Sequence, residues 1–435
     1  MVDRDAVVHL LRRATFGPTA AEVEAAGRAG LAATLDRLLA PLGADPGAAA
    51  TPPPDLGADP YAGITRQSSR EQRQQAQRRR AEQVRVLVDW WLDRMVAAEH
   101  QLTEKLVFFW HGHWATSVRK VRSAQLMRGQ LDTFRRYGRG PFEALSRAMV
   151  RDPALILWLD GQRNTRAAPN ENLARELMEL FTLGVGHYTE ADVRAGARAL
   201  TGWQVDRRTG VARFVRRRHD PAAKTILGRT AAFDADSYAR LLATRPEAGA
   251  FVAARLWARF AGTDPPAPQA LGGGAGAGTT TELLRALFTR PEFGQARGGL
   301  VKQPVEWAVG AMRQLGIRPG RLPDQQRREL TNRLAGMDQV PLRPPSVGGW
   351  PAGPAWLTTS SLQSRMRLAA LLAGAAPEVT RRLAGTPPDD RPEALARLLV
   401  VDRWTPRTRA ALTPLAEDPR RLLVAGLVSP EYTVS

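Results

Sequence analysis

Apolar residues recur at helical spacing along most of this 435-residue chain, and Pro or Gly interrupts the pattern where one stretch gives way to the next. That rhythm leaves little room for a large sheet. Val84, Leu87, Val88, Trp91, Leu92 and Met95 mark the apolar face of one long helix over residues 66–100. Its first half is Gln/Arg-rich with almost no apolar face, which predicts a solvated arm. Further helices are predicted over 103–114, 118–137, 171–183 and 190–201, with Thr189 and Asp192 placed as a capping box for the last. Residues 211–215 are the best strand candidate, pairing with 203–205. The Pro, Gly and Ala run at 263–280 is the clearest break. It separates an N-terminal helical region, 1–262, from a C-terminal helical region, 281–435, packed on it. The expectation is a mostly α protein, a multi-helix orthogonal bundle with at most one small β-hairpin.

The chain has no cysteine, which excludes disulfides, thiolate nucleophiles and thiolate metal sites. Its net charge of +19 would suggest nucleic acid, but Lys occupies only positions 105, 120, 224 and 302, so nearly all 62 basic residues are Arg. Abundant Arg, Ala, Gly and Pro is what GC-rich coding produces, and specific nucleic-acid binding is not expected. Binding of an anionic polymer remains a third alternative. No run approaches the roughly 18 apolar residues of a membrane span, and the first residues lack the pattern of a secretory leader. A cytoplasmic protein is expected from the chain as written, or an exported one if its N-terminus is incomplete.

Chemistry concentrates in residues 170–184. On a helix, Glu171, Asn172, Arg175, Glu176 and Glu179 fall on one side and Leu173, Leu177, Leu180 and Phe181 on the other. Glu176 and Glu179, three residues apart, can converge as general acid and base or as ligands. The plainer alternative is an exposed face tied by Arg175 pairs. All six histidines lie at or before position 219. His111 and His113 share a face in a strand but diverge by about 200° in a helix; Glu104 lies seven residues before His111, on its side. Glu104, His111, His113, Glu176 and Glu179 are thus the candidate set for a divalent metal, against the plainer reading of His packed beside Trp110 and Trp114. Catalytic candidates are Glu176, Glu179, His187 and Lys105. Binding candidates are Asn170, Asn172, Arg175, Lys224 and Trp350, the last on a Pro/Gly-rich connector that can line a pocket. A Lys kept in an Arg-rich chain suggests a site that needs a compact ammonium.

The sequence Asn-Glu-Asn-Leu-Ala-Arg-Glu-Leu-Met-Glu-Leu-Phe-Thr-Leu-Gly at 170–184, with Ala-Leu-Thr-Gly-Trp at 199–203, resembles the bacterial family called domain of unknown function 1800. So do His-Leu-Leu-Arg-Arg-Ala-Thr-Phe-Gly at 9–17, Leu-Thr-Glu-Lys at 102–105 and Phe-Trp-His-Gly-His at 109–113. Lys-Thr-Ile-Leu-Gly at 224–228, Lys-Gln-Pro-Val-Glu at 302–306 and Pro-Ser-Val-Gly-Gly-Trp at 345–350 complete the set. The resemblance implies a largely helical protein, often exported, whose gene neighbours another with a sulfatase- or phosphatase-like look. It brings no activity. Two functions are therefore carried forward: a metal-assisted or acid/base hydrolase or transferase acting on an envelope- or carbohydrate-related substrate, and a non-catalytic scaffold for the sulfatase/phosphatase-like partner.

Overall fold

The Gln101–His113 helix lies at the centre because it has no face to offer water. Leu102, Leu106, Val107, Phe108, Phe109 and Trp110 encircle it, and Glu104 and Lys105 are buried with them. Packed against it are the helices Arg4–Ala14, Leu31–Leu39, Arg70–Ala97 and Ala124–Tyr137. This computed structural model describes residues 4–40, 43–262 and 278–434. The protein is mostly helical, as its periodicity predicts.

The long predicted helix runs from Arg70 to Ala97, opened by a reciprocal capping box between Ser69 and Gln72. Its early turns stand in solvent apart from Ala76. Its later turns bury Val84, Leu87, Val88, Trp91, Leu92 and Met95. The Pro304–Leu315 helix, capped by Gln303 and Glu306, packs against it. The largest cluster of buried apolar side chains extends from Leu10 to Tyr432 and draws on both predicted regions. The predicted linker lies, for residues 263–277, outside the described residues.

Three local features depart from the sequence reading. The helix predicted over 118–137 is two, Val118–Val121 and Ala124–Tyr137, because Arg122 adopts a left-handed φ of 57° and the Ser123 hydroxyl accepts from the Leu126 N–H to restart the helix. A second hairpin, Lys224–Ile226 with Arg229–Ala231, joins the expected one of Trp203–Asp206 with Val211–Phe214. Its turn is Leu227–Gly228, both at positive φ, and it lacks the Asn-Gly or Asp-Gly signature that would announce it. Asp192 holds that turn by accepting from the Leu227 N–H at 2.7 Å. Finally, the segment predicted as one helix over 171–183 is α-helical only from Asn172 to Glu176 and becomes a π-helix from Leu177 to Thr182. Among the described residues, no helix is long and apolar enough to cross a membrane.

Candidate functional site

The acidic segment is anchored at its start by amides. Asn170 accepts from the Asn172 N–H at 3.0 Å, and the Asn172 side chain donates to the Leu159 carbonyl at 3.2 Å. These two residues shape the helix entry. Arg175 donates to both oxygens of Glu190, at 2.6 and 2.7 Å, and to Glu171 at 3.2 Å. The guanidinium is therefore enclosed by surface carboxylates. Glu176 is half-buried, and burial first, then the neighbouring Glu179, raises its pKa against the pull of Arg175. It has no hydrogen-bond partner among the described residues. Glu179 accepts from the Tyr188 hydroxyl at 2.8 Å. Burial and that carboxylate push the phenol up to about 12. His187 is exposed.

The π turn behind these carboxylates changes which carbonyls are free. Leu183 and Gly184 both donate to Met178 O, at 2.9 and 3.0 Å. Gly184 holds a φ of 85° with the Phe251 ring 3.2 Å from where a Cβ would stand, so only glycine fits there. Phe181 O, one turn later, lies 2.9 Å from His113 Nε2.

A second charged centre lies in the core. Glu104 is 1% exposed and accepts from Arg94 and Arg135, each at 2.7 Å. Burial alone would raise its pKa, but Arg135 and then Arg94 outweigh it and hold it below the usual carboxylate range. Lys105 donates to Thr15 O at 2.7 Å and pairs with Glu306 at 2.9 Å; the other Glu306 oxygen accepts from Arg259 at 2.8 Å. Against burial, Arg259 and Lys105 bring Glu306 down to about 2. Burial brings Lys105 down to about 8, with Glu306 opposing and Arg259 adding to the fall. Both directions follow from one carboxylate set among several cations. The retained lysines now have a reason. Lys224 directs its ammonium at three carbonyls, Asp220, Ala222 and Phe233, at 2.6, 2.8 and 2.9 Å, a tripod that a planar guanidinium does not match.

The five-residue metal set does not assemble. The helix continues through Gly112, so His111 and His113 diverge. His111 Nε2 accepts from the Leu342 N–H at 3.1 Å and its ring stacks edge-on against Trp91 and Trp350. His113 is ringed by Phe109, Trp110, Trp114, Phe142, Phe181 and Phe251. Burial lowers both imidazoles to about 3, so they are neutral. Glu104 is taken by its two arginines. Among the described residues, no group of three or more His, Asp or Glu side chains is placed to hold a metal ion.

Trp350 does line a pocket, as its connector suggested. A cavity of about 110 Å³ is bounded by Trp350, Phe108, Phe109, Gly112, His113, Gln303, Arg255 and Arg259. Trp356, by contrast, is buried in packing. The two arginines were not singled out by sequence. Their only signal is i, i+4 spacing on a helix, Pro246–Phe260, whose neighbours Val252, Leu256, Trp257 and Phe260 are buried. In so Arg-rich a chain that signal has no contrast.

The family model described as Protein of unknown function (DUF1800) matches residues 9–434. Neither a curated protein nor a solved structure matches the chain.

Proposed function

We propose, from the premise that this chain belongs to the DUF1800 family, that it works as a non-catalytic helical scaffold, with a sulfatase- or phosphatase-like protein as its partner. One observation carries this reading: the charged residues of the motifs already have fixed internal partners. Glu104 has Arg94 and Arg135, Lys105 has Thr15 O and Glu306, Lys224 has three carbonyls, and Arg175 has Glu190 and Glu171. Groups so engaged are poor donors or acceptors of protons in a reaction, and such closed networks fix a unique core. A surface for the partner is available on the Thr359–Ala375 helix. Leu362 and Met366, four residues apart, stand about half exposed there, with Leu357 just before.

The test is sedimentation of the purified chain with the sulfatase- or phosphatase-like protein encoded beside it. A defined complex, lost in a folded Leu362→Asp/Met366→Asp variant, is expected. Independent sedimentation of the two proteins overturns the reading.

A second reading has one specific observation in its favour. Glu176, half-buried and without a hydrogen-bond partner among the described residues, adjoins a π turn, a distortion frequent at functional sites. Acid/base hydrolysis or transfer on an envelope- or carbohydrate-related substrate would use Glu176 and Glu179. Hydrolysis of a glycoside or ester panel by wild type, abolished in Glu176→Gln, would establish it in place of the scaffold. Elemental analysis of the same pair tests a metal-assisted variant of that chemistry.

A further inference from the structure

The cavity beside Trp350 collects polar groups that the protein itself leaves unanswered. Arg259 is 8% exposed; its Nη1 reaches Glu306, while its Nη2 has no partner. Arg255, one helical turn earlier, is half-buried and makes no hydrogen bond or ion pair among the described residues. Trp350 Nε1 is buried without an acceptor. His113, 2% exposed, has no partner for its Nδ1. Each such orphan costs about 1–3 kcal/mol when left dry, and four of them border one small space.

Their chemistry is one-sided. No Asp or Glu lines the cavity. Three of the groups are N–H donors, two of them carrying a full positive charge. The nearest carboxylate, Glu306, is already shared by Lys105 and Arg259. Two guanidinium groups on one helix face, without an anion between them, form a receptor for an oxyanion.

His113 narrows the choice. Its Nε2 faces a carbonyl, Phe181 O, at 2.9 Å, so that nitrogen carries the proton. The ring is neutral, which leaves Nδ1 as a bare acceptor. An oxyanion with one protonated oxygen satisfies both halves of the site: its charged oxygens meet Arg255, Arg259 and Trp350, and its hydroxyl donates to His113. The volume, about 110 Å³, accommodates a group of about three or four waters' size.

We propose that the cavity formed by Arg255, Arg259, Trp350 and His113 is a binding site for hydrogen phosphate. The site is independent of the scaffold surface on the Thr359–Ala375 helix.

The experiment is calorimetric titration of the intact chain with inorganic phosphate at pH 7.5, beside sulfate and beside sodium chloride at matched ionic strength. Saturable phosphate binding is expected, about tenfold or more tighter than sulfate, which has no hydroxyl to give His113. Arg255→Met should weaken it by about tenfold or more, for the loss of one charge-assisted contact. Trp350→Phe, which keeps the ring and removes the N–H, should weaken it by roughly threefold to tenfold. Arg255 has no internal partner to lose, so its variant should retain the wild-type circular dichroism spectrum. A phosphate response no larger than that to chloride, equal affinity for sulfate, or an unchanged affinity in folded Arg255→Met each overturns the proposal.

Discussion

The acidic segment at 170–190 and the basic centre around Glu306 invert one another. In the first, carboxylates surround one guanidinium near solvent, where Arg175 and its partners Glu171 and Glu190 are a third or more exposed. In the second, Lys105 and Arg259 close on one carboxylate, with all three side chains at most 8% exposed. Water screens the first arrangement and is shut out of the second. The same ionic groups are therefore nearly neutral in energy at one place and indispensable at the other.

The sharpest way to break that contrast is to remove the minority charge from each. Glu306→Ala leaves Lys105 and Arg259 buried without a counter-charge and should cost about 3–5 kcal/mol in chemical denaturation. A loss below 1 kcal/mol would mean that water reaches this centre. Acid provides the next largest effect. His111 and His113 are held near 3 against an ordinary 6.5, so the stability they contribute is complete above pH 6.5 and is withdrawn as pH falls towards 3. Each should cost about 2 kcal/mol between pH 7 and pH 5. The acidic segment runs the other way, since the raised pKa of Glu176 means that protonation relieves it. Melting temperatures of wild type and Glu176→Gln across that pH range would show whether the two trends separate. The smallest effect belongs to Arg175→Ala, which should stay within about 1 kcal/mol because its pairs are exposed. A larger loss would place that cluster with the core.

Helical periodicity made most of the fold legible, because a buried face recurs in sequence wherever it recurs in space. The Thr189–Asp192 capping box and the first hairpin follow the same logic. What escaped was set by backbone angles that side-chain pattern does not encode: the left-handed Arg122, the Leu227–Gly228 turn and the π turn at Leu177–Thr182. The sites divide in the same way. The acidic segment could be read because its members are neighbours in sequence. The core cluster and the cavity bring together residues 105, 113, 255, 259, 306 and 350, whose proximity only the folded chain creates. Glu104, His111 and His113 were correctly seen as unusual. Their role is packing and pairing inside a central helix, because a helix that turns all its faces to the core must bury its polar residues too.

The π turn also sets how the chain can vary. A π turn takes one more residue to close its hydrogen bonds than an α turn does. Deleting a residue between Leu177 and Thr182 would let the segment relax to an ordinary helix and rotate everything beyond by about 100°. The Phe181 carbonyl would then swing away from His113, and Gly184 away from Phe251. Substitutions in this stretch change one side chain at a time, whereas a change of length would shift the reading frame of its contacts. The segment is therefore a fixed-length joint, one in which the count of residues matters as much as their identity.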